Sequence, residues 1–333
     1  MDLFSGRIFV LGAGFSAGAG IPLTSSLLPE AAKLFSAEAS GLFSRVNNYA
    51  RQVDVDLEGN PDAIDFAKLC THVEFIELRE YAGGERWSSR GSREKMALHY
   101  YLSKAIAYAT PAPADIPAYY LEFVKALTPN DVIVSFNWDL LFENICDQAG
   151  IEYSYTFEEG KIHLIKLHGS INWVSGEPKA MKAGRPSFEY EPIGLKDGFV
   201  EKEVYKSDLL KRLRFWKRTQ FLIDEVQPML VLPGYGKAFD IRLLATLWYR
   251  IEFLNVRDGG VSIIGMSVAE DDYFVESLFR FLFRGVFSKD RQIHLLNPDV
   301  EVFQRFSEFS MDNDLSFREA CFDENSLNYA LLH

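Results

Sequence analysis

The stretch Ile8-Phe9-Val10-Leu11-Gly12-Ala13-Gly14-Phe15-Ser16-Ala17-Gly18-Ala19-Gly20-Ile21-Pro22 decides how the rest of this chain is read. Ile8 to Leu11 are β-favouring and apolar, and they stop abruptly at small residues, the pattern of a buried parallel strand handing over to a tight turn. Gly12 and Gly14 reach backbone angles closed to other residues. Having no side chains, they let a pyrophosphate approach main-chain N–H groups. The stretch reads as a phosphate cradle, with a purely structural turn as the alternative. A nicotinamide-dehydrogenase fingerprint would take Ala17 as its third small residue and put a second strand, ending in an acidic residue, about 20 residues on. Residues 30–39, Glu-Ala-Ala-Lys-Leu-Phe-Ser-Ala-Glu-Ala, read as helix instead.

Outward from that turn, Leu27, Leu28, Ala31, Ala32, Leu34 and Phe35 recur at helix spacing. Helical stripes then dominate 36–127, interrupted by a polar, glycine-rich loop over 83–92 and by Pro111, Pro113 and Pro117. Apolar runs predict strands over 131–136, 162–167, 229–232, 261–265 and 293–296. Between them lie a helix over 140–149, closed by Gly150 in the usual C-terminal position, and another over 241–256. Residues 175–218 are rich in charge and turns, read as a solvated insertion with a surface helix over 207–221, with a partner-binding or nucleic-acid-facing patch as the alternative. The expected architecture is α/β: a Rossmann-like parallel sheet with helices on both faces, plus a large helical insertion. As a single domain its core spans 1–35, 128–175 and 226–305, with a helical insertion at 36–127 and a charged one at 176–225.

At 333 residues and 48% hydrophobic content the chain buries a substantial core, and 27 Phe, 15 Tyr and 5 Trp make it unusually aromatic. The formal charge of -12 gives no broad electrostatic grip on nucleic acid. Cys70, Cys146 and Cys321 lie far apart and form no Cys-x-x-Cys pair, so neither a disulfide framework nor a structural zinc site is encoded. No signal-type N-terminus and no apolar run long enough to cross a bilayer is present, and the expectation is a soluble cytoplasmic protein without membrane contact.

Polar groups cluster where the predicted strands end, which is where an open α/β sheet places its ligand. In order these are Gly12-Ala13-Gly14-Phe15-Ser16 with Gly20-Ile21-Pro22, then Ser135-Phe136-Asn137-Trp138-Asp139, Lys166-Leu167-His168-Gly169-Ser170, Ile264-Gly265-Met266-Ser267 and Leu296-Asn297. This collinear series resembles the motifs of the sirtuin family, NAD-consuming enzymes with a Rossmann-like core. The resemblance implies NAD as substrate, held by Gly12, Ala13, Gly14, Phe15, Ser16, Ile21 and Pro22 at one end and by Gly265, Ser267 and Asn297 at ribose and adenosine. It implies Asn137, His168 and Asp139 as the catalytic residues.

Departures from the family narrow the expectation. Sirtuin deacylases carry four zinc cysteines after the His-Gly, where this chain has none, and Leu23-Thr24-Ser25 replaces their Phe-Arg. Asn172-Trp173, Leu232-Pro233 and Gly265-Met266-Ser267 with Asp272 are similar to a zinc-free prokaryotic branch. Its members hydrolyse NAD as anti-phage effectors, some with a HerA-type ATPase, some with an Argonaute and some with a sensing domain of their own. The resemblance therefore implies an NAD glycohydrolase without zinc, acting in antiviral defence with a partner such as that ATPase. A homo-oligomer is expected from the aromatic composition and the apolar stripes of the helical insertion. The alternatives are an NAD-dependent protein deacylase and a non-catalytic NAD- or ADP-ribose-binding scaffold for a partner ATPase or nuclease.

The chemistry fits these side chains. Cleaving the nicotinamide–ribose bond passes through a cationic, oxocarbenium-like ribose, so a site orients the sugar, holds the leaving amide and delivers water. A His such as His168 accepts a proton near neutrality. Asn137 offers two amide donors and an acceptor to water and ribose, and Asp139 receives a carboxamide N–H or positions its loop.

Overall fold

The computed structural model describes residues 6–59, 65–79, 93–155, 158–174, 228–234, 247, 248, 251, 260–269, 272–284, 292–310 and 314–332. The glycine-rich loop at 83–92, the charged insertion with its helix at 207–221 and most of the helix expected over 241–256 lie outside the described residues. In chain order the described elements are β1 (Ile8–Leu11), α1 (Ala13–Ala17), α2 (Thr24–Glu38), α3 (Ser40–Arg51), α4 (Phe66–Arg79), α5 (Arg93–Ala109), α6 (Ala118–Lys125), β2 (Val132–Ser135) and α7 (Leu141–Ala149). They continue with β3 (Tyr153–Ser154), β4 (Ile162–Lys166), β5 (Gly169–Val174), β6 (Pro228–Leu230), β7 (Val261–Ile264), α8 (Tyr273–Arg284), β8 (Ile293–Asn297), α9 (Val300–Ser310), β9 (Leu315–Glu319) and α10 (Leu327–Ala330). The chain divides into two compact units, one made of Met1–Leu23, Thr110–His168 and Leu244–His333, the other of Thr24–Ala109 and Gly169–Leu243.

The first unit is built on a seven-stranded sheet in the order β3-β4-β2-β1-β7-β8-β9. Each neighbouring pair runs parallel. Every residue of β1, β2, β4 and β7 is buried, as expected of strands covered by helices on both faces. From β1 the chain moves to β2 on one side and later to β7 on the other, so the strand order reverses at β1. This is the Rossmann-like arrangement that the apolar runs predict, and in such sheets the ligand lies beyond the carboxyl ends of the strands at the reversal.

Aromatic residues fill the core of this unit. Phe15, Tyr120, Phe123 and Phe322 meet under the first turn, with Phe15 stacked on Phe322 at 4.9 Å and edge-on to Tyr120 at 5.2 Å. Phe279, Phe283, Phe306 and Phe309 form a second cluster between α8 and α9. Among the described residues the aromatic side chains are thus largely interior, although Tyr273, Phe274 and Phe281 of α8 are exposed.

Four strands depart from the sequence expectation, which contains neither β3 nor β5. The run at 229–232, read as resuming the core sheet, yields β6, which pairs antiparallel with β5 in a separate two-stranded sheet of the second unit. A short apolar run shows that a strand forms without showing which strand it joins. β9 lies beyond the expected end of the core at 305. It is the outer strand of the sheet and none of its residues is buried, so it lacks the continuous apolar run that marked the inner strands.

The second unit contains α2 to α5 with β5 and β6. Of its helices α3, α4 and α5 lie within the helical stretch read over 36–127, whereas α2, read with the core up to residue 35, groups with them and α6, read within that stretch, belongs to the first unit. Phe35 of α2 stacks on Tyr101 of α5 at 4.4 Å and meets Phe43 of α3 edge-on at 5.4 Å. Lys104 of α5 holds both carboxylate oxygens of Glu38, at 2.6 and 2.7 Å. Burial works against its ammonium form, but Glu38 and Tyr100 outweigh burial and leave its pKa raised.

Candidate active site

Register along the sheet decides which residues meet. Leu11 stands opposite Ser135 and Ile264, Ser135 opposite Lys166, and Ile264 opposite Leu296. The Gly12 turn, Asn137, His168, Gly265 and Asn297 therefore all lie at the carboxyl edge of the sheet, on neighbouring strands.

Two of these turns touch backbone to backbone. Gly12 N–H donates to Ile264 O at 3.0 Å and Gly14 N–H to Gly265 O at 2.9 Å. A Cβ on Gly12 would lie 2.4 Å from Met266 Cα, and one on Gly14 2.7 Å from Gly265 Cα. Gly265 has φ 58°, a left-handed conformation that favours glycine. These glycines are therefore required by the close approach of the turns themselves. The Gly12 and Gly14 amides read from sequence as phosphate donors are engaged by protein carbonyls, and Phe15 N–H bonds Gly12 O at 3.0 Å. What α1 still offers an anion is the half-buried Ala13 amide at its first position.

Phe15 is not at a ligand-facing position: it is 1% exposed in the aromatic core, and its carbonyl accepts the Tyr120 hydroxyl at 2.5 Å. Burial, with Tyr119 and Asp139 nearby, pushes the Tyr120 hydroxyl up, so it stays a donor. Ser16 is buried, and its carbonyl closes the turn by accepting from Ala19 and Ile21 at 3.1 and 3.3 Å. Ile21 is buried and Pro22 half-buried at the end of this turn.

Asn137 joins the second strand end to the first. Its Nδ2 donates to Gly12 O at 2.8 Å and to Ser16 Oγ at 3.1 Å, and its backbone N–H donates to Ser135 Oγ at 3.1 Å. Both amide protons are spent inside the protein, contrary to the expectation that they serve the ligand. Its Oδ1 makes no hydrogen bond among the described residues and is the acceptor that remains. Asp139 is likewise occupied: its Oδ1 accepts Leu141 N–H at 2.9 Å, two residues on, closing the turn that leads into α7.

His168 follows β4 and is half-buried. Phe136 meets its ring edge-on at 5.1 Å, and Trp248 lies over it at 6.4 Å with planes 27° apart. Gly169 after it has φ 78°, a left-handed turn of the chain directly behind the histidine. Two indoles hold the carbonyls of this turn, Trp138 Nε1 donating to His168 O at 3.0 Å and Trp248 Nε1 to Leu167 O at 2.9 Å.

On the far side of the reversal, Ser267 is exposed and open to a ligand. Asn297 is not: its Nδ2 donates to Met266 O at 3.1 Å and its Oδ1 accepts Asp299 N–H at 2.9 Å, tying β8 to the β7 turn. Asp272 caps α8 through Val275 N–H at 3.1 Å.

The sequence reading passed over Trp138, Trp248 and a buried polar group beneath the site made of Lys166, Glu143 and Tyr155. A signal for the last was present: Lys166 ends a strand that is apolar but for His163, and Glu143 sits among Leu141, Phe142, Ile145 and Cys146. Among the described residues, no group of three His, Cys, Asp or Glu side chains is placed to hold a metal ion, and no helix is long and apolar enough to cross a membrane.

No family model matches this sequence, and no curated protein matches it. Among solved structures it is similar to a Sir2 in complex with the inhibitor EX-527, 2'-O-acetyl-ADP-ribose and a deacetylated p53 peptide, with 13% identity, 98% of this chain and 90% of that chain covered, and a TM-score of 0.38. It is also similar to Sir2Tm bound to a propionylated peptide, with 13% identity, the same coverage of 98% and 90%, and a TM-score of 0.37.

Proposed function

We propose that this chain is a sirtuin-like NAD glycohydrolase, cleaving NAD to nicotinamide and ADP-ribose, and that it serves as an NAD-depleting effector of anti-phage defence. The observation that carries the reading is the Asn137 bridge. Residues 12, 16, 137 and 168, far apart in sequence and singled out there as one set of motifs, converge at the strand reversal, with Asn137 bonded to both Gly12 and Ser16. In this reading the diphosphate approaches the Ala13 amide, Ser267 faces a ribose, and the nicotinamide ribose lies between Asn137 and His168.

The reaction needs little of the protein beyond placement and one base. Water attacks the anomeric carbon as its bond to the pyridinium nitrogen breaks, and that electron pair leaves with neutral nicotinamide. His168 takes the proton that the water loses. Asn137 Oδ1, its Nδ2 already fixed, accepts a hydrogen bond from the water's other O–H or from a ribose hydroxyl and so aims the attack. Asp139 acts through the turn its Oδ1 closes and does not touch the reacting atoms.

Incubating the purified protein with NAD and resolving products by chromatography tests this, with and without an acyl-lysine peptide. Nicotinamide and ADP-ribose in equal amounts, with no peptide required, is the expected result. O-acyl-ADP-ribose formed only with peptide would assign the deacylase instead. NAD bound but left intact would assign the scaffold.

A further inference from the structure

We infer that Lys166 is a positioning residue for this reaction, and that its buried partnership with Glu143 and Tyr155 sets the spacing between the Asn137 turn and the His168 turn. The inference rests on the NAD hydrolase reading. Lys166 Nζ donates to Asp139 O at 2.5 Å and to Glu143 Oε1 at 3.0 Å. The same Glu143 oxygen accepts the Tyr155 hydroxyl at 2.8 Å. The Lys166 and Glu143 side chains are 1% and 2% exposed, so this ion pair is fully removed from water.

A buried ion pair is a poor way to gain stability, because desolvating both charges costs about as much as their attraction returns, and an apolar pair of similar volume serves as well. What an apolar pair cannot do is hold a carbonyl. Lys166 lies two residues before His168 and reaches the last residue of the Asn137-Trp138-Asp139 turn. In the opposite direction, Trp138 of that turn donates to His168 O at 3.0 Å. The two turns are thus tied by crossed bonds, one from each side, and Asn137 carries the tie onward to Gly12 and Ser16. Glu143 belongs to the first turn of α7, where a negative charge is favoured by the helix dipole, so the anion that anchors Lys166 is itself held. No part of the group faces the substrate. Its effect is to fix where Asn137 and His168 stand relative to each other, and a misplacement of about 1 Å between such groups costs on the order of 100-fold in rate.

The test is the double variant Lys166→Met with Glu143→Gln, which removes both charges and keeps an amide oxygen at position 143 to accept from Tyr155. Two quantities are read: kcat and KM for NAD, and the hydrogen-exchange rate of the Trp138 indole N–H. The expected result is a folded protein whose kcat falls by about 10-fold to 100-fold with KM within about threefold of wild type, and whose Trp138 indole exchanges faster. A folded double variant with wild-type kcat overturns the inference while leaving the hydrolase reading intact. Should wild-type protein leave NAD intact, the hydrolase reading fails by itself and the exchange rate decides: unchanged protection of Trp138 overturns the inference, and faster exchange upholds the tie. Tyr155→Phe, which removes one hydroxyl and keeps the ring, stands in if the double variant does not fold. A several-fold loss of kcat at constant KM is then expected, and wild-type kcat overturns the proposal.

Discussion

Both protons on the Asn137 amide nitrogen are committed to Gly12 O and Ser16 Oγ, which makes this residue a poorer probe of chemistry than His168. Replacing Asn137 by Ala unties two turns as well as removing an acceptor, so we expect loss of both stability and rate. His168→Ala leaves the backbone carbonyl that Trp138 holds in place, and it should lower kcat by about 10²-fold to 10⁴-fold, the usual worth of a positioned proton acceptor, while calorimetric NAD affinity stays near wild type. Full turnover in that variant would show that another group takes the proton. The glycines separate in a parallel way. Gly20 has φ 86° with open space around it, so Gly20→Ala should cost only the left-handed strain of about 1–2 kcal/mol. A Cβ on Gly265 would lie 2.4 Å from Gly14 C and from Phe15 N, so Gly265→Ala adds a backbone clash to that strain and should cost at least roughly 2–5 kcal/mol in chemical denaturation. Equal costs for the two would mean that the turns can move apart. Gly14→Ala belongs with Gly265→Ala, so loss of NAD binding there says nothing specific about phosphate.

Individual elements show why some of this was legible in the sequence and some was not. β1, β2, β4, β7 and β8 announced themselves because an inner parallel strand is apolar on both faces, and Gly150 announced the end of α7, where it takes φ 68°. β9 did not, because an outer strand with exposed positions carries Ser316, Arg318 and Glu319 where inner strands carry Ile and Val. For the site, the strand ends named the residues, but no pattern tells that the Asn137 amide turns inward, that Asn297 is a clamp or that Phe15 faces the core, since each depends on what a distant strand end presents. At the opposite end of the strands, Arg7 forks onto both oxygens of Asp131 at 3.2 and 2.7 Å and bonds Ala126 O and Leu331 O. Asp131→Ala would leave that guanidinium half unpaired and should destabilise by about 3–5 kcal/mol with NAD affinity unchanged, as read by denaturation and calorimetry. A loss of affinity of similar size would show that the two ends of the sheet are not independent. His163, in β4, is held below the ordinary imidazole range by burial. The unfolded chain then binds a proton near pH 6.5 that the folded chain resists, so the stability this residue permits is complete above that pH and is lost as the pH falls through it. Thermal midpoints should drop between about pH 7 and pH 5, and His163→Asn should flatten that drop.

At the scale of the whole molecule, the net negative charge and the exposed Tyr273, Phe274 and Phe281 of α8 bear on assembly. We propose that the chain self-associates, on the ground that unrestrained NAD hydrolysis would harm the cell that makes it, and that exposed apolar side chains favour contact. Light scattering should give a mass above that of one 37.9 kDa chain, and a monomer at every concentration, alone or with a HerA-type ATPase, would refute it.

The central position of β1 has a consequence for how the protein is made. β1 is the first strand, yet one of its two neighbours, β7, begins at Val261, so half of its hydrogen-bonding edge has no partner until most of the chain exists. At about 5–20 residues per second the ribosome leaves that edge waiting on the order of tens of seconds. The Gly12 turn is held in shape by Gly265, made in the same late stretch. A nascent chain therefore carries Gly12, Asn137 and His168 well before it has the Gly265 turn that holds the Gly12 turn in shape, so under the hydrolase proposal translation itself would delay the appearance of activity.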